Sequence, residues 1–279
     1  LAEAEVEYHD HTSHTIWVKF PVVETAVPEL EQASVVIWTT TPWTMPANRA
    51  VAYGEAVDYR LVEVTHASED SLAREGERLV VADELVGDVC AAAKIDEVAT
   101  IARIKGKDLA GTVLAHPFRG RGYDYGVPML AGEFVTTEQG TGLVHIAPSH
   151  GEDDFVLGAR HGLEVPDTVA EDGRYTAAVP GFEGTHVFEA HEPVIRALEE
   201  AGALLARGQL VHSYPHSWRS KAPLIFRATP QWFIAMDGED RLRETALKAI
   251  EETRFVPPSG ANRIRGMVEH RPDWCVSRQ

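Results

Sequence analysis

The 279-residue chain predicts an α+β, β-rich fold: a barrel or sandwich of short strands, flanked by a few helices and followed by an appendage. Three observations carry this. The first 150 residues alternate β-former runs with turn residues at short spacing, as strands of a barrel or sandwich do. After Gly142 the apolar period changes to that of helices. From about Leu204 no single pattern holds, and the chain reads as a mixed tail.

The elements follow in order. Thr15 to Phe20 alternates as a half-buried strand should. Ala33 to Trp38 is a continuous apolar β-former run. Tyr59 to Val64 and Arg78 to Ala82 are joined by polar Thr65 to Glu77, a long hairpin with a variable tip. Ala82 to Ala93 reads as a helix, with Asp83 as N-cap and Leu85, Val86 and Val89 on one face. Thr100 to Ile104, Thr112 to His116 and Val127 to Thr137 supply further strands. Ser149 and Glu152 have the spacing of a capping box, opening a helix that runs to His161 and stops at Gly162. Asp167 to Gly184 is a loop or hairpin. Val187 to Ala201 is a second amphipathic helix ended by Gly202. A helix from Gly238 to Thr253 precedes a chain reversal at Pro257 to Gly260.

Composition narrows the function classes. The net charge of -17 argues against a general nucleic-acid binder, though not against a protein that grips only the end of a nucleic acid. No apolar run reaches the roughly 18 residues of a membrane span, and the acidic N-terminus is unlike a signal peptide. Two distant cysteines, Cys90 and Cys275, fit a reducing cytoplasm better than a disulfide framework.

Two strings concentrate the chemistry. In Trp38-Thr39-Thr40-Thr41-Pro42-Trp43-Thr44-Met45-Pro46-Ala47-Asn48-Arg49, hydroxyls gather at the end of an apolar strand. On a strand Thr39 and Thr41 face one side and Thr40 the other, until Pro42 ends the ladder. Their hydroxyls donate and accept, so they suit ribose hydroxyls, phosphate or a positioned water. They are equally ordinary β-branched strand residues. In Gly140-Thr141-Gly142-Leu143-Val144-His145-Ile146-Ala147-Pro148-Ser149-His150-Gly151-Glu152-Asp153-Asp154-Phe155, two glycines allow a tight turn before a strand. His145 reads either as a pocket residue or as a satisfied core histidine. Asp153 and Asp154 enter the first turn of a helix, whose dipole favours ionised carboxylates. They lie about 100° apart, so one can cap while the other faces a pocket. An ionised aspartate there would receive an α-ammonium group. His212 and His216 have H-x3-H spacing, and His9, His11 and His14 cluster, but no nearby cysteine or acid completes a zinc set, so no metal is expected. No phosphate-cradling glycine loop and no G-x-S-x-G elbow occurs.

Together the two strings resemble the editing signatures of isoleucyl-tRNA synthetase, in the form that bacteria and organelles carry. The resemblance continues in His212-Ser213-Tyr214-Pro215-His216-Ser217-Trp218-Arg219, in Pro223 to Phe233, and in Arg271 to Gln279, and so covers nearly the whole chain. It implies an editing-domain β-barrel at 33–203, preceded by a lead-in ribbon at 1–32 and followed by a return segment at 204–279 that leads back toward an absent catalytic core. The HIGH-type and KMSKS-type ATP signatures are absent from this sequence, so amino-acid activation and a cofactor are not expected. The implied reaction is hydrolysis of the ester in Val-tRNA(Ile), with valyl-adenylate as a further substrate. Asp154 would hold the α-ammonium. Thr39, Thr40 and Thr41 would contact the terminal adenosine and ester and orient water. His145 would line the side-chain pocket and exclude isoleucine's extra methylene, with Asn48 and Trp38 on the substrate side. The implied partners are the 3′ CCA end of valine-bearing tRNA(Ile) and the rest of the synthetase, with no membrane and with the domain itself monomeric. A first residue other than Met and a last one in mid-motif suggest an excised fragment. A freestanding deacylase acting in trans, a non-catalytic tRNA-end module and an unrelated β-barrel hydrolase are the alternatives.

Overall fold

In a computed structural model the structure describes residues 5–277; Leu1 to Ala4, Arg278 and Gln279 lie outside the described residues. Two compact units divide the chain between Ala228 and Thr229. Residues 204–228, expected to belong to a separate return segment, are therefore part of the larger unit.

The larger unit is built on the strand β1, Val6–Glu24, whose 19 residues outrun any one partner. β2 (Ser34–Thr39), β3 (Ala50–Tyr53), β4 (Asp58–Ala67) and β5 (Arg78–Ala82) follow. A 3-10 turn at Asp83–Leu85 leads into helix α1, Val86–Ala93. Then come β6 (Ile95–Lys105), β7 (Val113–Ala115), β8 (Gly126–Ala131) and β9 (Leu143–Ile146), with helices α2 (Glu152–Arg160) and α3 (His191–Glu200), and last β10 (Leu204–Ser217). The sheet order is β6-β4-β5-β2-β1-β7-β8-β3-β9, with β10 also paired to β1.

The fold is mixed and strand-rich as the sequence predicts, but the sheet is not closed into a barrel. Its hydrogen-bonded path has two ends, β6 and β9. Closure would need those two strands to pair, and β9 is only four residues long. The mixed tail expected from Leu204 begins as a 14-residue strand, antiparallel to β1 from Val18↔Leu204 to Val6↔Ser217. Its outer half alternates only weakly because so much of it is exposed, which hid the period of two.

The continuous apolar run of β2 has a direct explanation. Val35 and Ile37 enter the main core with Ile16, Val18 and Phe20, while Val36 points into a second cluster under α1 with Val62, Val81 and Val89. Both faces of β2 are covered, so no polar alternation is possible. A third cluster, Ala50, Ala52, Val135, Ile146 and Leu157, seats α2 on β3 and β9. Asp83 does not cap α1: its carboxylate pairs with Arg60 and Arg103, and the helix opens on Leu85 without a side-chain cap. The strand expected over Val127 to Thr137 stops at Ala131, where Gly132 turns the chain and donates to the Tyr53 carbonyl.

The smaller unit, described from Thr229 to residue 277, holds a two-stranded ribbon, β11 (Phe233–Ile234) with β12 (Trp274–Cys275), and helices α4 (Leu242–Glu252) and α5 (Ser259–Glu269). The chain reversal expected at Pro257 to Gly260 joins α4 to α5, and its last two residues, Ser259 and Gly260, already belong to α5. Pro258 sits at its N-cap, a position where the missing N–H costs nothing. Arg243 ties the unit together, pairing with Asp237 and donating to the carbonyls of Val268 and Glu269.

Candidate active site

The threonine block starts at the end of β2. The strand stops at Thr39, the chain bends at Thr40, and a 3-10 turn runs from Pro42 to Ala47. The expectation that Thr39 and Thr41 share one strand face therefore fails, because Thr41 has left the strand. Its N–H instead caps back onto Thr39 Oγ1 at 3.1 Å. All three threonines are half-buried.

The second string meets the first through its glycines. Gly140 and Gly142 have φ of +81° and +73°, values that L side chains rarely adopt. A Cβ on Gly142 would lie 2.4 Å from Ala82 Cβ, and one on Gly140 would lie 3.1 Å from the Trp38 ring. The turn is pinned by the Ala82 N–H on the Thr141 carbonyl at 2.8 Å and by Tyr59 Oη, which donates to the Gly142 carbonyl at 2.7 Å. The result is a pocket of 260 Å³ whose walls include Trp38, Thr39 and Thr40 on one side and Gly140, Thr141 and Gly142 on the other. Trp38 Nε1 is buried and has no hydrogen-bond partner among the described residues.

His145, on β9, is 8% exposed and both its ring nitrogens are engaged. Thr44 has one hydroxyl proton and gives it to the Thr41 carbonyl at 2.9 Å. His145 Nε2 must then carry hydrogen and donate to Thr44 Oγ1 at 3.0 Å, leaving Nδ1 to accept from Asn48 Nδ2 at 2.7 Å. Asn48, fully buried, gives its second amide hydrogen to the Ala50 carbonyl at 2.8 Å, and its Oδ1 finds no partner among the described residues. Burial first, and the nearby His150 second, push the His145 pKa down to about 3, so the ring is neutral at physiological pH. His145 thus clamps the 3-10 turn to β9 and locks the two strings in register.

Asp154 lies in the first turn of α2, three residues before buried Leu157 and so near the seated side of the helix. Its Oδ2 accepts the Ala147 N–H at 2.7 Å, which folds the carboxylate back onto the end of β9. Gly151 makes room, since a Cβ there would stand 2.6 Å from Asp154 Oδ1. Burial raises the Asp154 pKa to about 6 against the pull of these backbone N–H groups, and among the described residues no cationic side chain pairs with it. Asp153 is exposed. The capping box does not form. Gly151 occupies the N-cap, and Ser149 Oγ donates instead to the Pro166 carbonyl at 2.6 Å.

The structure thus brings Trp38, Thr39 and Thr40 into one pocket with the glycine turn, and joins Thr41, Asn48 and His145 through Thr44. Asp154 stands at the opposite end of β9 from that turn and does not line the pocket. Sequence reasoning passed over Thr44, three residues after Thr41 and so spaced for a turn bond. It also passed over His150, whose Nε2 meets Thr168 Oγ1 at 2.7 Å and whose Nδ1 meets the Phe226 carbonyl at 2.9 Å. Burial lowers the His150 pKa to about 4. His212 bonds Ser13 and His216 the Tyr214 carbonyl. Among the described residues no group of three or more His, Cys, Asp or Glu is placed to hold a metal ion.

Known proteins match along the full length. The isoleucine–tRNA ligase of Gluconobacter oxydans is 53% identical over 292 residues and that of Pelagibacter ubique 54% identical over 279, each alignment covering all of this chain. The chain spans 30% of the length of either relative. Among solved structures, GlLeuRS-CP1 superposes with a TM-score of 0.52 at 15% identity, covering 68% of this chain and 97% of that one. The P. falciparum cytosolic leucyl-tRNA synthetase editing domain gives 0.51 at 9%, covering 70% and 99%. These two share the fold. The family model for class I tRNA synthetases (I, L, M and V) matches residues 1–279. The chain belongs to the class I tRNA synthetase family, in a part of it that folds as synthetase editing domains do.

Proposed function

We propose that the chain is a proofreading hydrolase that cleaves the ester of valine misattached to tRNA(Ile), working as a part of isoleucyl-tRNA synthetase. The observation that carries this reading is the meeting of the two strings: Thr39, Thr40 and the glycine turn around one 260 Å³ pocket. A carboxylate without a cationic side-chain partner stands at the far end of the same β9 strand. The need for such a site is physical. A pocket shaped for isoleucine gains little by excluding valine, one methylene smaller, and this amino-acid pair is the standard illustration of that limit. A second site too small for isoleucine removes the error.

In this reading Asp154, ionised above about pH 6, receives the α-ammonium of the valyl group. Thr39, Thr40 and Thr41 hold the terminal ribose and a water beside the ester, so rate comes from positioning and not from a protein nucleophile. Trp38 contributes to the pocket wall. Neutral His145 and Asn48 act by fixing the shape of the wall, with His145 limiting the side chain admitted. The test is deacylation of Val-tRNA(Ile) and Ile-tRNA(Ile), wild type beside Asp154→Ala and His145→Ala. The expected result is loss of valyl hydrolysis in Asp154→Ala and new cleavage of the isoleucyl ester in His145→Ala. A folded wild type that cleaves neither ester would support a tRNA-end binding module instead, or a site that works only with the remaining 70% of its relatives' length.

A further inference from the structure

We propose a second site on the larger unit, a cationic cleft that binds the phosphate oxyanions of a ligand, separate from the threonine pocket. The cleft has a volume of 790 Å³ and is lined by Lys19, Arg74, Arg78 and Arg119 together with Glu75 and Glu77. In a chain of net charge -17, a concavity with four cations to two carboxylates is anomalous. It stands at the other end of β2 from the pocket. Ser34 lines the cleft and Thr39 the pocket, about 17 Å apart along the strand.

The charges are not used up within the protein. Both Glu77 oxygens are engaged: Oε1 accepts from Lys19 Nζ at 2.6 Å and Oε2 from the Arg74 N–H at 3.1 Å. That second bond closes the tight turn Arg74–Glu77, in which Glu77 N–H also donates to the Arg74 carbonyl; among the described residues the Arg74 guanidinium has no acidic partner. Glu75 is engaged by His66 at 3.1 Å. Arg78 is paired with Glu63. Arg119 stands on a second turn, held by its N–H on the His116 carbonyl at 2.9 Å, and among the described residues its side chain likewise has no acidic partner. In the same cleft Lys19 is 6% exposed and gives one of its three ammonium hydrogens to Glu77. Two guanidinium forks on braced turns, with a buried ammonium holding hydrogens in reserve, match a ligand with two phosphate groups. A pyrophosphate-bearing small molecule and two successive phosphates of an RNA strand present that same chemistry.

The test titrates the whole chain with inorganic pyrophosphate and, separately, with a short single-stranded RNA, using the wild type and the Arg74→Ala/Arg119→Ala double variant. Both arginines are exposed, so the variant should fold, which its thermal unfolding will confirm. Arg174→Ala, which alters an exposed arginine paired with Asp172, is the control. The expected result is binding by wild type and control that weakens at least tenfold in the double variant. Saturation by pyrophosphate alone would identify a small phosphorylated ligand. Saturation by RNA, with a salt slope near 1.4 for two neutralised phosphates that vanishes in the double variant, would identify a strand. Failure of both probes at millimolar concentration, or equal binding by wild type and double variant, would overturn the proposal. Neither readout depends on ester hydrolysis.

Discussion

Asp154 is the residue whose chemistry most depends on its setting. A carboxylate on an exposed first turn would be ionised throughout the useful pH range; burial against the end of β9 moves its titration to about 6. If it holds an ammonium group, hydrolysis by the wild type should fall as pH drops through 6, while the residual rate of Asp154→Asn should show no such step. Single-turnover deacylation between pH 5 and 8 measures this. Asn48 makes the opposite point, since its effect is on stability. Asn48→Ala would leave His145 Nδ1 buried and unpaired, at a cost of about 1–3 kcal/mol, readable as a lower midpoint in urea unfolding. The two strings announced themselves in the sequence, and so did the dual reading of His145. What was not legible was the direction of each hydrogen bond. Thr44 and the tautomer of His145 follow only once a turn bond to the Thr41 carbonyl fixes where one proton goes.

The glycine turn before β9 sets the pocket at the scale of an element. Gly142→Ala places a methyl 2.4 Å from Ala82 Cβ at a φ of +73°, and should destabilise the chain by at least about 2 kcal/mol. Gly140→Ala carries the same backbone strain at a φ of +81° but meets only the Trp38 ring, at 3.1 Å, so it should destabilise less and alter the pocket as well. Circular-dichroism melts of both variants, set beside their ligand binding, separate the two effects. Most elements of the larger unit could be read from periodicity, because one covered face imposes it. The readings that failed share a cause. Ser149 to Glu152 and Asp83 were judged from local spacing, and tertiary partners (the Pro166 carbonyl and Arg60) decided otherwise. β10 escaped notice because a strand whose faces are both partly wet has no sharp alternation.

For the whole molecule the strongest electrostatic expectation is acid lability. Burial holds His116 and His145 near pKa 3 and His150 and His191 near 4, whereas the unfolded chain binds their protons at about 6.5. These four lowered histidines contribute stability that is complete above 6.5 and is lost as pH falls toward their folded values. Asp154, raised to about 6, acts in reverse, its contribution being present at low pH and lost as pH rises through 6. Four sites outweigh one, so the thermal midpoint should drop steeply from pH 6.5 to 4. A midpoint that stays level over that range would show that these histidines are not held neutral. No helix of the described residues is long and apolar enough to cross a membrane.

The pairing of β1 with β10 also has a consequence in time. Val18 faces Leu204, and the register ends at Val6 with Ser217. On a ribosome, where the chain emerges at about 5–20 residues per second, the first strand would wait roughly 10 to 40 s for this partner. Until then its N-terminal half would present an unsatisfied edge. The polar and charged residues along Glu7 to His14 keep that waiting edge wet, and so poorly suited to pairing with a neighbouring nascent chain.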